Sequence, residues 1–152
     1  MIRHLLLAAS VLSSCSLPRD PQGTIERVAA THELRVGVTD NPPWVAASSA
    51  IPTGIEPTLA QDFAQGLGAK VLWTRGSETG LTESLKSHDL DIVIGGFDKK
   101  TQWSASVAVS QPFATDADGK KHVFLAGPGE NAFLLRLDRF LTDRKRGAKA
   151  AS

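Results

Sequence analysis

One cysteine in 152 residues excludes an intramolecular disulfide framework and any metal site built from several cysteines. No apolar run reaches the ~18–20 residues of a membrane-spanning helix. Charge of one sign is also missing. The 17 Lys and Arg stand against 16 Asp and Glu, so nothing suggests an electrostatic footprint for nucleic acid. There is no internal repeat, no Gly-x-Ser-x-Gly elbow and no phosphate-binding glycine loop. His4, His32, His88 and His122 stand at no metal-ligand spacing. With no acid–base pair to name and no cofactor motif, the expectation is a protein that binds rather than catalyses, without a cofactor. What is present is ordinary globular composition, 41% hydrophobic and 22% charged. The length suits one domain of roughly 100–200 residues.

The first residues read as an address. Arg3 and His4 precede an apolar stretch from Leu5 to Leu12 of secretory-signal length. Leu12-Ser13-Ser14-Cys15 then resembles a bacterial lipobox, which implies cleavage before Cys15 and lipid attachment to its sulfur. A plain secretory signal with a chance cysteine is the alternative. Residues 1–14 are thus expected as signal, and residues 15–33 as lipidated cysteine and tether, with Ser16 to Thr24 rich in Ser, Pro and Gly. Residues 34–143 are expected as the folded lobe. Arg144 to Ser152 is basic without an apolar period, and reads as a fraying tail.

Within the lobe, Leu34 to Thr39 alternates and is rich in β-formers, so it reads as a strand stopped by Asp40-Asn41-Pro42-Pro43. Leu59, Phe63 and Leu67 form a helical stripe, with Pro57 expected at the first helical position and Gly68 as the stop. Lys70 to Thr74 reads as a strand, and Ser77 to His88 as a helix. Asp91 to Ile94 is a short apolar run, expected as a strand buried on both faces and ended by Gly95-Gly96. A helical turn over Thr101 to Ser106 and weakly extended Val107 to Val109 follow. His122 to Ala126 reads as a further strand, and Asn131 as the cap of a last helix bearing Phe133, Leu137 and Leu141.

Strand–helix–strand–helix–strand order implies an α/β fold with a mostly parallel sheet and helices on both faces, three layers in all. Ligands in such sheets bind beyond the carboxyl ends of the strands, where strand order reverses. If the first and third strands are neighbours, the loops Thr39 to Trp44 and Gly95 to Lys99 are the candidate site.

The same residues carry a resemblance. Leu34-Arg35-Val36-Gly37-Val38, Pro42-Pro43-Trp44, Gly54-Ile55-Glu56-Pro57-Thr58-Leu59-Ala60, Asp89 to Gly96 and Ser110-Gln111-Pro112-Phe113 resemble, in order and spacing, the bacterial extracellular solute-binding proteins of family 3. Val123 to Leu141 resembles the family's return into the same lobe. The resemblance implies a periplasmic-binding-protein-like α/β lobe and a small-molecule solute. It also implies the role of substrate-binding component of an ABC transporter, with its permease as partner. In the family a second lobe is inserted between these two segments. Here only Ala114 to His122 separates them, so a single lobe is expected. Its cleft would be left half-walled unless a second copy completes it. With Ser16 after the cysteine, a periplasmic protein anchored to the outer rather than the inner membrane is expected.

The resemblance also assigns candidates. Trp44 matches a family aromatic that stacks on the ligand; packing is the competing role. Asp40 and Asn41 lie in the same loop and equally suit turn formation. Gly95 and Gly96 let backbone approach a bound group, or simply turn the chain. Phe97 and Asp98 follow at the mouth. Glu56 is either a cleft carboxylate or one favoured by a helix dipole. In amino-acid-binding members an Arg six residues before an aromatic–Ser pair grips the ligand carboxylate. Here Val109-Ser110 takes the place of that pair and Trp103 the place of the Arg, and an indole makes no such bidentate pair. Trp44 and Trp103 with Asp40, Glu56 and Asp98 therefore suit a neutral or cationic ligand rather than an ordinary α-amino acid. The alternative function is a one-lobe cell-envelope interaction protein using its cleft face.

Overall fold

A computed structural model describes residues 19–150. Cys15, the signal and the lipobox lie outside the described residues. The elements run α1 (Thr24–Thr31), β1 (Glu33–Val38), α2 (Ile55–Gly66), β2 (Lys70–Arg75), α3 (Glu78–Lys86), β3 (Ile92–Asp98), a 3-10 turn (Gln102–Ala105), β4 (Ala108–Val109), β5 (Ala114–Thr115), β6 (Lys121–Ala126) and α4 (Asn131–Ala150). Strand order is β2-β1-β3-β6-β4, with β5 also on β6. β1 pairs parallel with β2 and β3, while β3, β4 and β5 all run antiparallel to β6. Only β6 runs against the others, so the sheet is mostly parallel as its apolar runs imply.

Side-chain alternation divides the core in two. Ile92 and Ile94 of β3 and Phe124 and Ala126 of β6 face one layer, with Val28 of α1, Phe63 of α2 and Phe133, Leu137 and Leu141 of α4. Val93, Phe97, Val123 and Leu125 face the other, with Leu81 and Leu85 of α3. This is the period of two expected when helices cover both faces. Gly37 sits where the second layer is tightest. A Cβ there would lie 2.7 Å from Leu90 Cδ1 and 3.1 Å from Leu81 Cδ2, so these leucines close onto β1 because residue 37 has no side chain.

Some boundaries differ from expectation. The folded part begins before Leu34, because the segment expected as tether is stapled to α4. Asp20 Oδ1 accepts from Ala132 N (2.8 Å) and Phe133 N (2.9 Å), and Glu130 accepts from Gln22 N (2.9 Å) and Thr24 N (3.0 Å). The cap of α4 is therefore Asp20, not Asn131, which is the first helical residue. Pro57 is the third helical residue of α2 rather than the first, since α2 starts at Ile55 after Gly54. The expected stop of α2 is present. Gly68 has φ +69, and Ala69 N donates to Ala64 O at 2.9 Å, a left-handed closure that suits glycine. Arg144 to Ala150 continues α4 rather than fraying from Asp143, and Arg144 pairs with Asp62 of α2 at 2.5 Å. Gly95-Gly96 does not end β3. The strand passes through both glycines to Asp98, with a register shift against β6 between Val93 and Phe97.

Candidate functional site

The carboxyl ends of β1 and β3 lie side by side, because Val36 and Val38 pair with Ile92 and Ile94. Beyond them opens a cleft of about 380 Å³. Asn41 from the loop after β1 and Gly95, Gly96, Phe97 and Asp98 from β3 line it, and Glu78, Lys100, Thr101 and Gln102 complete the lining. The strand-order reversal rule thus locates the cleft.

Glu56 shapes this site from below. It is 0% exposed. Its carboxylate accepts from Gly95 N at 2.8 Å and from Gly96 N at 3.0 and 3.1 Å. Burial pushes its pKa up to about 7, against the opposing hydrogen bonds from Gly96 and Gly95. The candidate assignment of Glu56 to ligand contact is corrected: its oxygens are taken by backbone, and no solvent reaches them. Freed from ladder pairing, the two glycines turn their N–H groups inward. Asn41 Nδ2 then donates to Gly95 O at 2.8 Å and ties the first loop to the third strand. Gly96 has φ +70, and a Cβ there would lie 2.4 Å from Asn41 Nδ2. No other residue type fits without moving that loop.

Phe97 lines the cleft from β3, but its side chain is only 5% exposed and belongs to the second core layer. Trp44 is half-buried and packs. Its ring stacks on His122 (centroids 3.6 Å, 25°) and meets Phe113 edge-on (6.1 Å). His122 in turn hydrogen-bonds Asp116 Oδ2 at 3.1 Å, which holds the Asp116 carboxyl below its ordinary value. Asp40 Oδ1 accepts from Ala47 N at 2.7 Å and braces its own loop, which contains a cis Pro42-Pro43 peptide. Asp98 Oδ1 accepts from Lys100 N at 2.8 Å and remains at the cleft wall. Trp103 is half-buried against the second core layer, and its Nε1 donates to Glu78 Oε2 at 3.5 Å.

Glu78, Lys100, Thr101 and Gln102 lie outside the sequence-derived set. Glu78 had a signal: Ser77 caps α3 by accepting from Gly80 N at 3.2 Å, and a helix that follows a parallel strand starts at the carboxyl end of the sheet. The other three carry no motif. With Glu78 and Asp98 against Lys100, the cleft is polar with a slight acidic excess, suited to hydrogen-bonding a small polar or cationic group.

Between Phe113 and Val123, β5 and β6 form a hairpin, Ala114 pairing with His122 and Thr115 with Lys121. The connection that would carry a second lobe is closed by this turn.

Known proteins agree with this architecture. The chain is 32% identical over 103 residues to the membrane-bound lytic murein transglycosylase F of Vibrio parahaemolyticus, covering 66% of this chain and 20% of that protein. It is 30% identical over 93 residues to the protein of the same name from Yersinia enterocolitica, covering 60% of this chain and 19% of that one. The chain thus spans about a fifth of the length of the curated relatives it matches. Among solved structures, the arginine-bound form of domain 1 from TmArgBP superposes with a TM-score of 0.70 at 23% identity, covering 77% of this chain and 97% of that one. EhuB in complex with hydroxyectoine gives a TM-score of 0.54 at 25% identity, over 62% of this chain and 37% of that one. The model of the bacterial extracellular solute-binding proteins, family 3, matches residues 34–145. The chain belongs to the family 3 bacterial extracellular solute-binding proteins.

Proposed function

We propose that this protein is a non-catalytic, single-lobe solute-binding lipoprotein of the periplasm. Cys15 would carry the lipid, and the outer membrane rather than the inner would hold it. The observation that carries the reading is the cleft built by Asn41, Gly95, Gly96 and Asp98 at the strand-order reversal of a solute-binding family lobe. Glu78 and Asp98 favour a neutral or cationic solute. No arginine lines the cleft among the described residues, which argues against an ordinary α-amino acid held by a bidentate clamp. An ABC permease is the partner the family implies. The match to murein transglycosylases adds murein fragments to the candidate solutes.

A thermal-shift screen of the chain from Ser16 onward, followed by isothermal titration, tests this. Arginine, hydroxyectoine, polyamines, murein fragments and anionic amino acids are the probes. A native-state ligand must raise stability. Stabilisation by a polyamine or another cationic or neutral solute that is not an α-amino acid is expected; tight binding of an amino acid, whether anionic or arginine itself, overturns the assignment. A second reading, docking of a protein through the cleft end, is favoured by Ile51 and Ile55. These side chains are 60% and 49% exposed in and just after the loop that closes over that end. Loss of a specific crosslink in Ile51→Ser, with no solute response, would favour it.

A further inference from the structure

We propose that the lobe stands on the membrane with the amino ends of its parallel strands against the lipid headgroups and its cleft turned away from the anchoring bilayer. This rests on the reading of Cys15 as the lipidated residue. The direction itself comes from sheet polarity and from where the chain enters the fold.

The entry point is rigid and lies at one end of the sheet. Asn131 N donates to Arg19 O at 3.1 Å. Asp20 caps α4 through Ala132 and Phe133. Glu130, 2% exposed, holds the N–H groups of Gln22 and Thr24. Burial raises the Glu130 carboxyl, but the hydrogen bonds from Thr24 and Gln22 outweigh it and hold the group below its ordinary value. Residues 19–24 are therefore fastened to the start of α4. That start follows the end of β6, and β6 is antiparallel to β3 with Ala126 opposite Ile92. The end of β6 thus lies beside the first residue of β3. The cleft lies at the other end, beyond Val38 and Ile94.

Chain length then decides the orientation. Cys15 and Arg19 are four peptide steps apart, a reach of at most about 14 Å. A six-residue strand such as β1 is about 20 Å long, and the cleft loops add to that. With Arg19 held within such a leash, the amino end of the sheet stays near the headgroups, and the lobe cannot invert so that the cleft mouth faces the anchoring bilayer. A solute or partner must therefore reach the cleft from the aqueous side.

The test uses the full lipidated chain in nanodiscs with an acceptor dye on the headgroups. Donor dyes go on single introduced cysteines, because lipid occupies Cys15. Gln65→Cys places the donor near the end of α2, at the membrane-facing end; Gln102→Cys places it at the cleft. Strong energy transfer from position 65 and weak transfer from position 102 is expected. Inserting about 20 Gly/Ser residues between Ser16 and Leu17 adds tens of ångströms of reach and should shrink the difference. Equal or reversed transfer in the unextended chain overturns the orientation. A chain without lipid on Cys15 by mass spectrometry overturns it together with the anchored reading. Solute binding by the soluble lobe would still stand or fall on its own titration.

Discussion

Glu56 concentrates the chemistry of the site in one side chain. It is a carboxylate shut away from water, with two backbone N–H groups as partners. Below its ordinary value of 4.5 it is protonated in folded and unfolded chains alike. Above about 7 it is charged in both, and the folded state then bears the burial penalty. Stability is therefore expected to fall as the pH rises between these values, by up to roughly 3 kcal/mol, since each pKa unit is worth about 1.4 kcal/mol. Glu56→Gln removes the titration and should flatten this slope. Urea denaturation of both proteins between about pH 5 and 8 measures the difference, in which titrations common to both, those of Asp116 and Glu130 among them, cancel. Glu56→Ala leaves two buried N–H groups unpaired and a cavity. It should cost roughly 2–5 kcal/mol near pH 5, and less as the pH rises, because wild type loses the Glu56 contribution there while alanine does not titrate. Glu78 makes a second residue-scale prediction. As an accessible carboxylate steadied by Trp103, its change to Gln should weaken a cationic solute about tenfold by titration, the scale of one charged hydrogen bond. Folding stability should be nearly unaltered.

At the scale of elements, the β3 bulge and the α4 start show what was legible and what was not. The apolar runs of β1, β3 and β6 announced a sheet covered on both faces, and the order of elements placed the mouth at Asn41, Gly95, Gly96 and Asp98. Local pattern reported Gly95-Gly96 as a stop. What keeps the strand going is a carboxylate 39 and 40 positions away, and no local period encodes that. The segment before Leu34 read as tether for the same reason, since its partners Glu130 and Ala132 lie more than 100 positions on. The sequence left Trp44 between stacking on a ligand and packing, because its partners His122 and Phe113 lie far along the chain. Two substitutions follow. Gly96→Ala forces a side chain into a left-handed backbone against Asn41 and should cost roughly 1–3 kcal/mol, while abolishing solute-dependent stabilisation in a thermal-shift assay. Asp20→Ala removes the cap of α4 and should cost about 1 kcal/mol. Hydrogen exchange should rise first at Ala132 and Phe133, which rules on the staple directly.

For the molecule as a whole, the hairpin from Ala114 to Ala126 decides the mode of binding. Two-lobed binding proteins enclose a ligand between walls. Here one sheet carries the cleft, and the connection where another wall would enter turns back within a few residues. A pocket that ordinarily encloses 70–90% of a ligand is replaced by one open side, so binding has no hinge to close and leaves ligand surface in water. Small-angle scattering distinguishes the outcomes. A monomer of this size should have a radius of gyration of about 14 Å. A saturating solute should leave that value unchanged to within about 0.5 Å, because no body is free to swing. An increase toward the size of a dimer, at a solute concentration that also raises thermal stability, would mean that a second copy supplies the absent wall. The bound cleft would then be a property of the pair.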